Sequence, residues 1–383
     1  MAKVLLVDTN FASAPIYSVL KGFGYTVHVI GSNPNDALAK SAEQYWNIDY
    51  SDTAAVSDLI EREGFDYLVP GCTDRSYKSC AVVSQGRFPG IEPPDIEHGM
   101  HNKEKFRAIA EKLNLPVPET QNINNNRLDY PVIIKPVDSF SGRGITVIKN
   151  RNKKLFNSAI KLARKNSATE GYLVEKFISG ELYSHSAFLK NKTAIKNFFV
   201  KEDSTVNSFV VDTSRVIFSP PPVMQKQIIN AVEKLAQYLK LKDGLIHSQF
   251  IWDGCNIYLI DRNRRIAGDL YSQLIELSTG YPYVENYVRP FLGMPYKNIE
   301  DNNTRMPIMR HTVSVSKEQN FNHISFKESL FLEGWVALSS AGDQIKASPD
   351  GSVGILFARA SSQADLLSLY ETTIQRQLYD VVG

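Results

Sequence analysis

The chain has 383 residues, 43% apolar and 22% charged, the balance of a soluble globular protein long enough for two or three domains. Lys and Arg number 43 against 41 Asp and Glu, and the resulting net charge of +2 gives no support to a nucleic-acid or membrane-surface partner. No apolar run approaches the roughly 18 residues of a membrane span, the apolar part of MAKVLLVDTN is too short for a secretory signal, and three cysteines and seven scattered histidines lack metal-site spacing. These features predict a cytoplasmic protein with reduced thiols.

Residues 3–8 (KVLLVD) read as a strand covered on both faces. A helix starting near Pro15, a strand GYTVHVIG, a helix over 53–63, a strand DYLVPG and a helix over 74–84 follow. That alternation predicts βαβ units and a parallel, Rossmann-like sheet. The loops at 9–14 and 71–75 then lie at the edge where such sheets hold ligands, with Arg75 a candidate for a substrate carboxylate. The alternative is a pair of ordinary βα turns and a surface ion pair.

A helix over 102–114 ends in LPVPET, whose prolines mark a subdomain boundary. Strand, Gly/Ser loop and strand come next (PVIIKPVDSFSGRGITVIKN), then a helix over 153–166 and the strands YLVEKF and LYSHSAFL, together a compact α+β unit. SPPPV leads into a helix from 223 to about 241. The hairpin GLIHSQFIWDGCNIYLIDRN follows, turning at Asp253-Gly254. A helix over 270–278 has Asp269 as its expected N-cap. The tail carries strands HTVSVS, GWVALS and GSVGILFAR and a helix over 363–376. No internal repeat or low-complexity segment is evident.

Three segments can carry chemistry. In the first, Lys135 ends a strand, Gly142 and Gly144 let the backbone approach an anion, Ser139 and Ser141 offer hydroxyls, and Arg143 offers a forked cation. This suits a phosphate-covering flap, although a glycine hairpin with one exposed Arg is the plainer alternative. It is not a Walker A loop. In the second, VEKFISGE, Glu175 with Phe177 and Ile178 could receive an adenine and Glu181 a ribose; an exposed Glu–Lys strand end is the alternative. In the third, Asp261 and Asn263 share a strand face as hard oxygen ligands suited to Mg²⁺. Arg265 continues that face as a clamp for a phosphoryl or carboxylate group, while Arg262 points away and is structural.

Taken in order, Lys103 before a helix, the PVP link, the Lys-ending strand, the flap, VEKFISGE and DxNxR resemble the ATP-grasp superfamily of carboxylate–amine ligase type, which includes biotin carboxylase, the carbamoyl-phosphate synthase large subunit and glycinamide ribonucleotide synthetase. The resemblance covers residues 1 to about 300. It implies a Rossmann-like domain over 1–95, a grasp domain over 96–300 with a mobile α+β lid at about 118–190, and a small α+β segment over 301–383. It further implies that Lys103 and Lys135 contact nucleotide phosphates, that 139–144 is the flap, that Glu175, Lys176, Phe177 and Ile178 form the adenine hinge, and that Glu181 binds ribose. Asp261 and Asn263 stand at the metal-ligand positions, and Arg265 where an Arg steadies an acyl phosphate, with Lys135 and Arg143 assisting. ATP and Mg²⁺, or Mn²⁺ in its place, are the implied cofactors. A small carboxylate and an amine are the implied substrates, and a homodimer is compatible.

One departure stands out. Where the family has a second acidic ligand, this chain has Gln249. The alternatives are an active ligase with a weakened metal site, a bicarbonate-phosphorylating carboxylase or carbamoyl-phosphate-like enzyme, and a nucleotide-binding module with reduced turnover. The expected loop has three residues, Asp253 to Cys255, which pairs Gln249 with Leu259 and places it on the Asp261 face; a two-residue loop would pair it with Tyr258 and put Asp261 on the other face.

Overall fold

Val4, Leu5, Leu6 and Val7 are each completely covered because Lys3–Val7 runs inside a parallel sheet. The strand order is Gln44–Asn47, Thr26–Gly31, Lys3–Val7 and Tyr67–Pro70. Helix Ala14–Gly22 has Pro15 in its first turn, Thr53–Glu63 is capped by the Asp52 carboxylate, and Asp74–Ser84 is capped by the Thr73 hydroxyl. Asp74 therefore begins its helix just beyond the carboxyl end of a strand, the edge where open parallel sheets bind ligands. The computed structural model describes residues 1–123, 128–139, 142–297 and 304–383.

A helix absent from the sequence reading, Pro94–His101, follows, with Pro94 and two acidic residues in its first turn. It leads directly into Lys103–Leu113, capped by the Asn102 side chain. Beyond the proline link, Thr146–Ile148, Val132–Pro136 and Tyr172–Lys176 form a three-stranded antiparallel sheet. Helix Lys153–Lys165 covers it, enclosing Val132, Ile134, Ile148, Ala159, Ala163 and Val174.

The strand Glu181–Lys190, expected to belong with that unit, lies elsewhere. Residues 184–189 are buried throughout, as for a strand packed over on both faces of its sheet. It sits inside an eight-stranded antiparallel sheet ordered Ile257–Asn263, Gly244–Trp252, Glu181–Lys190, Thr193–Asp203, Thr213–Val216, Ile308–Val313, Gly354–Arg359 and Phe331–Ala337. The third and fourth of these pair across a long hairpin, and neither Thr193–Asp203 nor Thr213–Val216 was anticipated. The C-terminal strands thus extend the same sheet that carries the candidate metal ligands. Helix Pro222–Tyr238 packs Met224, Ile228, Val232 and Leu235 into the core beneath Ile246, Phe250 and Leu259. No described helix is long and apolar enough to cross a membrane.

Candidate functional site

Asp261 and Asn263 lie two residues apart at the end of Ile257–Asn263, hence on one face. Gln249 pairs directly with Asp261, so the two share that face, but by a different route from the one expected. Trp252 pairs with Ile257, which leaves a four-residue loop from Asp253 to Asn256 instead of three. The Asp253 carboxylate holds it by accepting from the N–H groups of Cys255 (2.8 Å) and Asn256 (2.7 Å). A bulge following Gln249 then leaves Ile260 without a cross-strand partner and restores the register.

Both amides are oriented by acids. Gln249 Nε2 donates to Glu202 Oε2 at 2.6 Å, turning its own oxygen away from Glu202. Asn263 is satisfied when its nitrogen donates to Asp74 Oδ1 and to the Arg262 carbonyl, each at 3.0 Å. Its oxygen then sits about 3.5 Å from Asp261 Oδ2. Two oxygens so close are favourable only with a cation or proton between or beside them. Asp261 itself has no cation within ion-pair distance among the described residues. Burial pushes its carboxyl up, but the fields of Lys103, Arg262, His101 and Arg265 outweigh that and hold it below the usual carboxylate range.

Glu202, on the unforeseen Thr193–Asp203 strand, was not singled out from the sequence. It is 3% exposed, and burial pushes its carboxyl up to about 7, only partly offset by hydrogen bonds from Ser184 and Gln249. An acid therefore does stand beside Gln249, supplied by a strand two places further into the sheet.

Lys135 is buried and Lys103 half-buried. Lys103 Nζ donates to the Ser139 carbonyl at 2.9 Å, so Ser139 meets it through its backbone and not its hydroxyl. Lys135 Nζ lies 2.5 Å from Glu175 Oε2, and Arg107 Nε donates to Glu175 Oε1 at 2.6 Å. Burial lowers both lysines, Lys135 to about 8. Glu175 was expected to face an adenine amine, yet its carboxylate is committed to these two cations, whose charges outweigh burial and keep it ionised. Arg107, missed in the sequence, is one helical turn beyond Lys103, and its Nη1 and Nη2 are buried without a partner. The Arg262 guanidinium lies 3.5 Å over the Phe106 ring and donates to the Met100 carbonyl.

Around this cluster the flap and hinge are dispersed. Gly142 (φ 68°) and Gly144 (φ 76°) adopt left-handed conformations, and an added Cβ at Gly142 would lie 2.6 Å from Phe209 Cβ. Arg143 does not turn toward the lysines; it is half exposed and pairs with Asp350 at 3.2 Å, because the loop leans on the C-terminal segment. Ser141 lies outside the described residues. Lys176 pairs with Asp129 at 2.6 Å on the surface, while Phe177 and Ile178 are half-buried. Glu181 is exposed and accepts from the Tyr183 hydroxyl at 2.9 Å.

Arg265 closes the other side. Its Nε donates to Asp74 Oδ1 at 2.6 Å, joining the strand end to the parallel sheet. Arg75, the neighbour considered for a substrate carboxylate, instead lies 5.3 Å over the Tyr50 ring. A small open cavity of about 20 Å³, the size of a water or an ammonium group, lies here, lined by Asp74, Glu97, Met100, His101, Asn263 and Arg265 among others. Behind it Arg310, also missed, donates from Nε to the Asp269 carbonyl at 2.6 Å and pairs with its carboxylate at 3.1 Å. Asp269 is not the cap residue of Tyr271–Thr279; Leu270 is, in a left-handed conformation, although the Asp269 carboxylate accepts from Tyr271 N–H at 3.2 Å.

Residues 128–273 match the ATP-grasp domain family. The carbamoyl phosphate synthase large chain of Clostridium acetobutylicum is 22% identical over 303 residues, covering 73% of this chain and 27% of that one. The chain spans well under half the length of the curated relatives it matches. Among solved structures, L-amino acid ligase from Bacillus licheniformis superposes with a TM-score of 0.80 at 16% identity, over 100% of this chain and 99% of that one. The biotin carboxylase domain of Hydrogenobacter thermophilus 2-oxoglutarate carboxylase, solved with MgADP and bicarbonate, gives 0.75 at 15% identity, over 100% and 90%. At these identities the structural likeness is one of fold.

Proposed function

We propose that the chain, whose residues 128–273 match the ATP-grasp domain family, is an ATP-dependent ligase that phosphorylates a small carboxylate, releases ADP and passes the acyl group to an amine. The observation that carries this reading is Asp261: a half-buried carboxylate with no ion-pair partner among the described residues, an amide oxygen turned toward it from Asn263 and Gln249 directly opposite. Mg²⁺, or Mn²⁺ in its place, fits that donor set. It favours hard oxygen ligands and takes one or two carboxylates plus phosphate oxygens. When bound, the ion would neutralise charge on the phosphates.

The remaining work falls to cations already in place. Phosphoryl transfer needs positioning and charge stabilisation more than a covalent nucleophile. Lys103 and Lys135 would bind phosphate oxygens, and Glu175 with Arg107 would hold Lys135 in position. Ser139, Gly142 and Gly144 would cover the phosphates by backbone contacts, with Arg143 steadying the flap. Lys176, Phe177 and Ile178 would border the adenine and Glu181 the ribose. Arg265, fixed by Asp74, would hold the carboxylate and then its phosphorylated form.

Incubating the protein with ATP, Mg²⁺ and a pool of amino acids should release ADP, and Asp261→Asn should reduce the rate at least a hundredfold. An unchanged rate in Asp261→Asn would sink the assignment. ATP binding without ADP release would identify a nucleotide-binding module, and ADP release dependent on bicarbonate a carboxylase-type reaction.

A further inference from the structure

The cavity beside Arg265 contains three guanidiniums and two carboxylates, and most are already matched. Arg265 is paired with Asp74 at 2.6 Å and Arg264 with Glu92 at 3.0 Å. Arg262 is stacked on Phe106. Glu97 is the exception: it lines the cavity, is 93% buried by its 7% exposure, and has no cation within ion-pair distance among the described residues. His101 lies one turn further along the same helix and lines the same cavity, so a carboxyl and an imidazole both face Asn263 and Arg265 across it.

We propose that this cavity is the subsite for the amine substrate, with Glu97 receiving its ammonium group and taking its proton. A buried carboxylate without a counter-ion is costly, and a cationic ligand removes that cost. Burial pushes Glu97 up to about 7, with Lys78 pulling against it and Asp74 adding to it, so the group can exchange a proton near neutrality. The cavity borders Arg265, which is where the amine must arrive.

The proposal rests on the ligase reading, and its chemistry balances. The ammonium gives one proton to a Glu97 oxygen. The freed nitrogen pair bonds to the acyl carbon, the bond from that carbon to the phosphate oxygen breaks, and its electron pair leaves with phosphate. The second nitrogen proton goes to the departing phosphate, which leaves as hydrogen phosphate.

Calorimetric titration of the full chain with ethylammonium and with glycinamide, in the presence of MgADP, tests it. One amine site per chain is expected, with affinity at least tenfold weaker in Glu97→Gln, less affected in Glu97→Asp, and no competition from acetate. Equal amine affinity in wild type and Glu97→Gln, or no amine binding to the wild type, would overturn the proposal. Carbodiimide labelling of Glu97 in the wild-type chain, followed by peptide mass, gives a reading free of any folding defect: trimethylammonium, which forms no stable amide with an activated carboxyl, should slow it, and an unaltered rate counts against the subsite. Hydroxylamine trapping of an acyl phosphate by the wild type tests the ligase reading separately. Its failure alongside intact amine binding would remove the reaction but leave the subsite.

Discussion

Glu202 has one task that its position makes plain: its carboxylate selects which end of the Gln249 amide faces it. Hydrogen bonds to charged groups contribute about 1.5–3 kcal/mol, enough to fix an amide rotamer. In Glu202→Ala the Gln249 oxygen loses that orientation. The Mg²⁺ concentration for half-maximal ADP release should rise on the order of tenfold, about 1.4 kcal/mol, with metal-free nucleotide binding unchanged. An unshifted Mg²⁺ curve would show that Glu202 is merely packed there. Arg107→Met should cost about 3 kcal/mol in urea denaturation, since it leaves Glu175 buried with one cation instead of two. Asp261, Asn263, Lys103 and Lys135 were legible because each is marked by its place at an element's end. Glu97, Glu202 and Arg310 were not, because their significance depends on partners 41 or more residues away or on a cavity wall. Arg107 could have been found, being four residues from Lys103 on one helix.

At the scale of elements, period and caps located most helices within a residue or two, as at Thr53–Glu63 and Asp74–Ser84. Pro94–His101 escaped because Gly99 and paired histidines blur its periodicity, although PPDIE is a helix-start pattern. Thr193–Asp203 escaped because its polar ends disguise the central FFV, and with it went Glu202. The flap shows what one residue can decide. Gly142 has positive φ and no space for a Cβ beside Phe209. Gly142→Ala should therefore displace the loop and raise the KM for ATP severalfold, measured by ADP release. Arg143→Ala should change stability by less than about 0.5 kcal/mol, because the Asp350 pair is half exposed.

Across the whole molecule, buried imidazoles set a response to acid. His185 and His311 are drawn down to about 4, burial being the main cause, against an ordinary value of 6.5. Between those values the unfolded chain binds more protons, so stability falls as pH drops from about 6.5 to about 4. Each group contributes about 1.4 kcal/mol per pH unit. Glu97 and Glu202, raised to about 7, act in the opposite sense, so the informative quantity is a difference between variants. His185→Gln, which can keep a hydrogen bond to Asn197, should lose stability less steeply than wild type by one such increment per unit. Parallel slopes in denaturant titrations at pH 6.5 and 5.5 would contradict this.

The continuous eight-stranded sheet has one more consequence. Thr213–Val216 bonds on one side to Thr193–Asp203 and on the other to Ile308–Val313. A chain cut back to residue 304 would leave that second side with unpaired amides and carbonyls, a template for another molecule's strand. Such a truncation should self-associate even though Lys103, Lys135, Asp261, Asn263 and Arg265 are retained, and light scattering would reveal it.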